Sequence, residues 1–223
     1  MHDSRVNNRW PVAKEGVPFI LAGCAVTLLL VGFGLFVLSL VAGALTVFVV
    51  FFFRDPDRSF PGPENAVLAP ADGRILPVRE LQAEDSPLGD RTLRASIFMT
   101  LFHVHVNRAP VDGIIKNIEY HSGKFFSANL DKASEQNERN RILIETPGSY
   151  RIAVTQVAGL IARRIACWVK EGEHVKAGQR FGLIRFGSRL DVYLPDGSRV
   201  TAVPGEGARA GRTVIGYLPE KKA

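Results

Sequence analysis

The hydrophobic pattern of this chain is dominated by one stretch without a charged residue, Val17 to Phe53: VPFILAGCAVTLLLVGFGLFVLSLVAGALTVFVVFFF. As a single helix these 37 residues would run roughly 55 Å, against a hydrocarbon core of about 30 Å. The run is too long for one span. Gly32 and Gly34 offer a place to turn, which predicts a helical hairpin with arms of about 16 to 19 residues, transmembrane or re-entrant. Arg5, Arg9 and Lys14 precede the run, and Arg54 and Arg58 follow it. Positive charge on both flanks puts both ends on the cytoplasmic side of a membrane. A cleaved signal peptide would have an apolar region of only ~7–15 residues, so that reading is rejected.

Beyond Arg54 the pattern changes to short alternating or apolar runs of strand length. Candidate strands are 74–78, 96–106, 114–121, 141–146, 150–157, 161–169, 180–185, 190–194 and 199–203. Turn signals separate them: ADG at 71–73, VDG at 111–113, PGS at 147–149 and PDG at 195–197. Residues 127–140, SANLDKASEQNERN, are polar without alternation and predict a long loop or a short exposed helix. No linker divides the region. The expected organisation is a cytoplasmic N-terminal segment (1–16), a membrane hairpin (17–53) and one mainly β domain (54–223). VLAPADGRIL (67–76) and VKEGEHVKAGQRFGLIRFG (169–187) are similar to the two halves of a biotinyl/lipoyl-type barrel-sandwich, whose short strands turn sharply at glycine.

Charge and cysteine content narrow the partners. The formal net charge is +6, which suits nucleic acid or an anionic membrane surface. Lysine and arginine are not interleaved with aromatics in any run, which leaves nucleic acid the weaker choice. The two cysteines, Cys24 and Cys167, form no C-x-x-C pair, and Cys24 lies in the apolar run, so neither a disulfide framework nor a zinc knuckle is expected.

Three places carry candidate chemistry. FMTLFHVHVNRAPVDG (98–113) holds His103 and His105 two apart in a strand-like run, a spacing that puts both imidazoles on one face. They read as a metal pair, as two surface histidines, or as a general base neutral near pH 7. A metal would need a further ligand, for which Asp72, Glu119 and His121 are available; a base would need an orienting carboxylate, for which Asp72 in PADGR is the candidate, although aspartate there is also a routine turn former. The second place is Lys132 in LDKAS, the Asp-Lys-Ala of a lipoylated hairpin, but its polar flanks are unlike the paired strands of a carrier domain. The third is IRFGSRLDVYLP (184–195), where Gly187-Ser188 separates what read as two halves of one buried strand; taken alone it is a bulge or tight bend.

The ordered set FFRDPDR (52–58), APADG (69–73), FHVHVNRAP (102–110), KASEQNER (132–139) and FGSR (186–189) resembles the phosphatidylserine decarboxylase proenzymes of the short, membrane-associated type, over nearly the whole chain. Longer members commonly read Leu-Gly-Ser-Thr where this chain has Phe-Gly-Ser-Arg, and they space their two histidines differently; His105, directly before VNRAP, takes the family position. The resemblance implies a self-cleaving zymogen. Ser188 Oγ would attack the Gly187 carbonyl, with His105 taking the hydroxyl proton and Asp72 orienting it. β-Elimination would free a β chain, 1–187, from an α chain, 188–223, and Ser188 would become a pyruvoyl group, the covalent cofactor. That group would form a Schiff base with the amine of phosphatidylserine and release phosphatidylethanolamine, with no metal. The implied partners are the lipid substrate, an anionic membrane and the chain's own two fragments, and the implied location is the cytoplasmic face of the cell (inner) membrane. His103, Arg108 and Arg189 are the expected contacts to substrate phosphate or carboxylate.

Overall fold

The charge-free run folds back on itself as α1 (Val17–Gly32) and α2 (Phe36–Phe52), which pack against each other. Here and below, the computed structural model describes residues 5–124, 126, 136–159, 165–185 and 187–219. The chain reverses at Gly34, whose φ of +73° is left-handed and costs glycine little. The helices meet through small residues: a Cβ on Gly23 would stand 2.4 Å from Thr46 Oγ1, so the close approach needs glycine. Leu28, Val37 and Leu40 are more than two-thirds exposed, and most large apolar side chains of the hairpin likewise face outward. With the 3₁₀ turn that precedes it, the first arm (Lys14–Gly32) is long and apolar enough to cross a membrane by length and composition; the second is slightly shorter.

At its base the hairpin is fastened to the rest of the chain. Phe52 and Phe53 are buried in the main core. Just beyond them Asp55, 2 % exposed, accepts hydrogen bonds from Arg180 Nε at 2.8 and 2.9 Å, Asn8 Nδ2 at 3.1 Å and Arg108 Nη2 at 3.4 Å. The N-terminal segment closes the same joint, with Ala13 N–H bonded to Phe53 O and Trp168 Nε1 to Glu15 Oε1.

The remainder is β. The strands are β1 (Ala66–Leu68), β2 (Gly73–Ile75), β3 (Arg79–Leu81), β4 (Thr92–Met99), β5 (Val106–Arg108), β6 (Gly113–His121), β7 (Arg139–Glu145), β8 (Arg151–Ala158), β9 (Ile165–Cys167), β10 (His174–Val175), β11 (Arg180–Ile184), β12 (Ser188–Pro195), β13 (Arg199–Val200), β14 (Gly207–Ala208) and β15 (Val214–Tyr217). A nine-stranded antiparallel sheet runs β10-β6-β7-β8-β12-β4-β2-β14, with β3 also on β4; two three-stranded sheets, β1-β15-β13 and β5-β11-β9, complete the domain. Leu190, Val192 and Leu194 of β12 share one core with Ile97, Ile142 and Ile152.

The domain contains a duplication. Leu68 N–H bonds Pro110 O while Arg108 N–H bonds Pro70 O, a reciprocal exchange between APADG and APVDG. Gly211 N–H reaches Ala69 O as Gly178 N–H reaches Ala109 O, both at 2.8 Å. Asp72 accepts from Ala210 N–H at 2.8 Å, and Asp112 from Ala177 N–H at 2.6 Å. The two stretches expected to be halves of one frame, 67–76 and 169–187, therefore do not pair directly. The first pairs with β14 and β15, and the second with β5 and β6.

Two strand assignments change. The run 96–106 breaks after Met99 into a turn over 101–103, and β5 starts only at Val106. The expected single strand across Gly187-Ser188 is two strands of different sheets, because β11 pairs with β5 and β9 whereas β12 lies between β4 and β8. Lys132, most of the loop that carries it and the first part of the strand expected at 161–169 lie outside the described residues.

Candidate active site

Gly187 and Ser188 occupy the corner where the chain leaves one sheet and enters another. Gly187 has φ +67°, and a Cβ built there would meet nothing within 4 Å, so the position demands a left-handed backbone rather than a small side chain. Ser188 opens β12 opposite Met99 of β4 and Ala158 of β8 and is fully buried. By strand alternation it faces the core with Leu190. Among the described residues its Oγ donates only to Met99 Sδ, at 3.4 Å. A thioether is a weak acceptor, so the hydroxyl is held without being consumed by a strong bond.

His105 is fully buried just before β5, its ring tilted 32° against that of Phe52, the last residue of α2, with centroids 4.0 Å apart. Neither ring nitrogen has a hydrogen-bond partner among the described residues. Burial lowers its pKa to about 4; the neighbouring backbone of His103 and the charge of Asp72 act against that fall, while the His103 ring and Arg54 add to it. The imidazole is thus a neutral, unengaged base at neutral pH.

Asp72 lies near enough to favour protonation of both histidines, but its carboxylate is bonded elsewhere. Arg58 grips it through both Nη atoms, the Nη2 contact measuring 2.8 Å, and also donates to Ala210 O. Ala210 N–H fills a further acceptor site, as in the duplicated turn at Asp112. Among the described residues no hydrogen bond joins Asp72 to His105 or His105 to Ser188. Asp72 and His105 thus lie within electrostatic reach of each other without a hydrogen bond, and Ser188 is anchored separately, against Met99.

His103 and His105 do not share a face, because the turn at 101–103 removes the strand that alternation assumed. His103 is half-buried, and its Nδ1 accepts the Thr100 N–H at 3.0 Å, which fixes the proton of the neutral ring on Nε2. Burial lowers its pKa, Asp72 opposes this, and Arg54 and Arg74 reinforce it. No group of three or more His, Cys, Asp or Glu side chains suited to a metal occurs among the described residues.

The two arginines expected to meet substrate are committed to carboxylates. Arg189 points to the opposite face of β12 from Ser188 and pairs with Asp191 at 2.8 Å, both side chains being at most 1 % exposed. Arg108 sits in the joint with Asp55 and donates to Gly178 O and Pro56 O; burial, then the neighbouring Arg180, lowers its pKa to about 10. A cavity of about 530 Å³ lies away from Ser188, beside Asp112, Asn65, Thr146 and Tyr150, at the duplicated counterpart of the Asp72 turn.

Sequence reasoning overlooked Phe52, Met99, Arg54 and Arg58. Phe52 read as the end of the apolar run and Met99 as strand core, with no local signal for either role. The arginines of FFRDPDR were legible as flanking charge, but not as parts of the site.

The comparisons agree in one direction. The family model described as phosphatidylserine decarboxylase matches residues 45–216. A phosphatidylserine decarboxylase proenzyme of Burkholderia pseudomallei (strain 1106a) is 49% identical over 211 residues, covering 94% of this chain and 96% of its own. Proenzymes of the same description from Magnetococcus marinus and Geobacter sp. (strain M21) are each 48% identical, over 95% and 96% of this chain and 97% and 99% of theirs.

Proposed function

This chain belongs to the phosphatidylserine decarboxylase family and is a phosphatidylserine decarboxylase, and from that premise we propose that it activates itself by breaking its own Gly187–Ser188 bond. The observation that carries this is a left-handed glycine directly before a fully buried serine whose hydroxyl has, among the described residues, only a thioether for a partner. Ser188 Oγ adds to the Gly187 carbonyl carbon; the amide C–N bond breaks and an ester forms. His105 accepts the hydroxyl proton, its neutrality being maintained by burial against Phe52. Asp72, fixed by Arg58 and Ala210 N–H, supplies a negative charge that favours the imidazolium formed in that step. Loss of the Ser188 α-proton then expels the Gly187 carboxylate, and addition of water releases ammonia, leaving a pyruvoyl group at 188.

The site suits such a group: a carbonyl about the size of the serine side chain fits beside Met99 without displacing a polar partner. A pyruvoyl group supplies an electrophilic carbonyl that captures the substrate amine and takes up the electron pair left as CO₂ departs. His103, whose Nδ1 is taken up by Thr100 N–H, would donate from Nε2–H to an anionic part of the substrate. The outward-facing apolar hairpin supports insertion in the cell membrane with the β domain on the cytoplasmic face. The duplicated turns support a barrel-sandwich reading of that domain, which self-cleavage divides into 1–187 and 188–223.

The test is the intact mass of the purified protein beside Ser188→Ala. Two chains are expected from the wild type, the smaller being 188–223 lighter by one ammonia, and one whole chain from the variant. A whole, folded wild-type chain would refute the reading.

A further inference from the structure

Arg54 carries a charge that the described part of the fold does not neutralise. Arg58 beside it has Asp72, and the buried arginines of the domain are likewise paired, Arg108 and Arg180 with Asp55 and Arg189 with Asp191. Arg54 has no carboxylate within ion-pair distance among the described residues. Nη1 donates to Phe51 O at 2.8 Å, Nη2 to Phe102 O at 2.7 Å, and the guanidinium carbon lies 3.9 Å from the Phe51 ring centroid. These contacts orient the group and remove water from it without offsetting its charge. Burial accordingly lowers its pKa, with Asp72 acting against that fall and Arg58 adding to it. Of the five N–H donors of a guanidinium, two are accounted for.

Its position ties the membrane hairpin to the reaction centre. The Phe102 carbonyl belongs to the turn that follows Met99, the neighbour of Ser188, and precedes His103. Two residues before Arg54, Phe52 lies against His105. The Phe102 ring, 68 % exposed, meets Phe48 of α2 edge-on at 6.4 Å, so the tip of this turn continues the apolar surface of the hairpin. A lipid lying along that surface would bring its headgroup to the level of Arg54.

We propose that Arg54 seats the phosphodiester of the lipid substrate. The assignment rests on the reading of Ser188 as the reaction centre for phosphatidylserine. The phosphodiester fits better than the substrate's other anion. A cation on the departing carboxylate would stabilise the ground state more than a transition state in which that charge moves away, and would slow the reaction. The phosphate keeps its charge throughout. Binding it contributes equally to substrate and transition state, which lowers KM and leaves kcat alone.

The experiment compares wild type, Arg54→Gln and Arg54→Lys in detergent–phosphatidylserine mixed micelles. The readouts are self-cleavage, KM, kcat, and inhibition by glycerophosphoethanolamine and by ethanolamine, two soluble amines that differ in carrying a phosphodiester. Losing one charged hydrogen-bonding group predicts a KM about 10- to 100-fold higher for Arg54→Gln with kcat within about twofold. Inhibition by glycerophosphoethanolamine should weaken by the same factor while that by ethanolamine is unchanged, and Arg54→Lys should recover part of both losses. Equal weakening of the two inhibitors, or a fall in kcat at constant KM, would overturn the assignment and leave Arg54 a structural residue. Should Arg54→Gln fail to self-cleave, Arg54→Lys decides by the same ratio of inhibition constants, which an uninvolved residue would leave at the wild-type value. A wild-type chain that never decarboxylates phosphatidylserine would sink the proposed function itself, and this assignment with it.

Discussion

Lowering the pH should destabilise the uncleaved chain through His105 by an amount that the structure fixes in sign and size. The ring is fully buried against Phe52 and faces the His103 ring, Arg54 and Asp72, and its pKa falls from 6.5 to about 4. Above pH 6.5 it is neutral in both the folded and the unfolded chain and contributes nothing to pH dependence. Between 6.5 and 4 the unfolded chain binds a proton that the folded chain refuses, so stability is lost as the pH falls through this window and levels off below it. At 1.36 kcal/mol for each pH unit, the difference between 6.5 and about 4 comes to about 3 kcal/mol. For a chain of this size that is roughly 6–12 °C in melting temperature. Ser188→Ala keeps the chain whole, so the comparison is between Ser188→Ala and Ser188→Ala/His105→Gln, melted in micelles from pH 8 to 4. The first should lose the extra 6–12 °C and the second should not, the other histidines and the carboxylates cancelling between them. Ring resonances of ¹³C-labelled histidine should show the His105 imidazole still neutral at pH 5. A His105 titration centred near 6.5, or parallel melting curves for the two variants, would refute the assignment of His105 as a base kept neutral by burial.

Gly187→Ala meets no steric obstacle but must hold φ near +67°, at a cost of about 1–2 kcal/mol, so self-cleavage after cell-free synthesis should slow about 5- to 30-fold; a wild-type rate would mean that the left-handed backbone is not used in the attack. Asp55→Asn leaves Arg108 and Arg180 buried without their shared counter-charge and should cost about 3–5 kcal/mol, read as a drop of roughly 6–20 °C in the Ser188→Ala background. Leu45→Arg puts a charge on the exposed apolar face of α2, and at about 2.5–3.5 kcal/mol for a mid-helix arginine it should reduce flotation with phosphatidylserine-containing vesicles. Unchanged flotation would count against membrane insertion of the hairpin.

The hairpin was legible because its signal is an absence: no charge between Val17 and Phe53, and a glycine pair where a turn was needed. The long strands β6, β7 and β8 were legible from apolar runs closed by turn residues. β1, β3, β10, β14 and β15 were not, because strands of two to four residues contain too few positions to show alternation. The apolar run through Leu101 and Phe102 concealed a turn, since Phe102 meets Phe48 of the hairpin and Leu101 packs on the core, neither as part of a strand, and the pairing of His103 with His105 was lost with it. Asp72 illustrates the other limit. Its turn-forming role was visible in PADGR, and its duplicate at Asp112 performs that role alone. What distinguishes Asp72 is Arg58, a partner fourteen positions away whose approach depends on how the hairpin base docks.

The placement of β12 has a consequence for the life of the enzyme. It is hydrogen-bonded on both sides, to β4 along its whole length and to β8 over Ser188–Tyr193, while β15 and β14 from the same C-terminal piece pair with β1 and β2. Opening the bond at its head, as proposed, would therefore release no loose fragment. Residues 188–223 are too few to build a core of their own, the practical limit being about 40 residues without staples. Under the proposed self-cleavage the order of events follows: the chain would have to fold while it is continuous, and only afterwards be cut. A molecule cut in this way would on unfolding yield two pieces that must find each other again, so its working lifetime would be governed by how rarely it opens, a rate, and not by an equilibrium to which it could return.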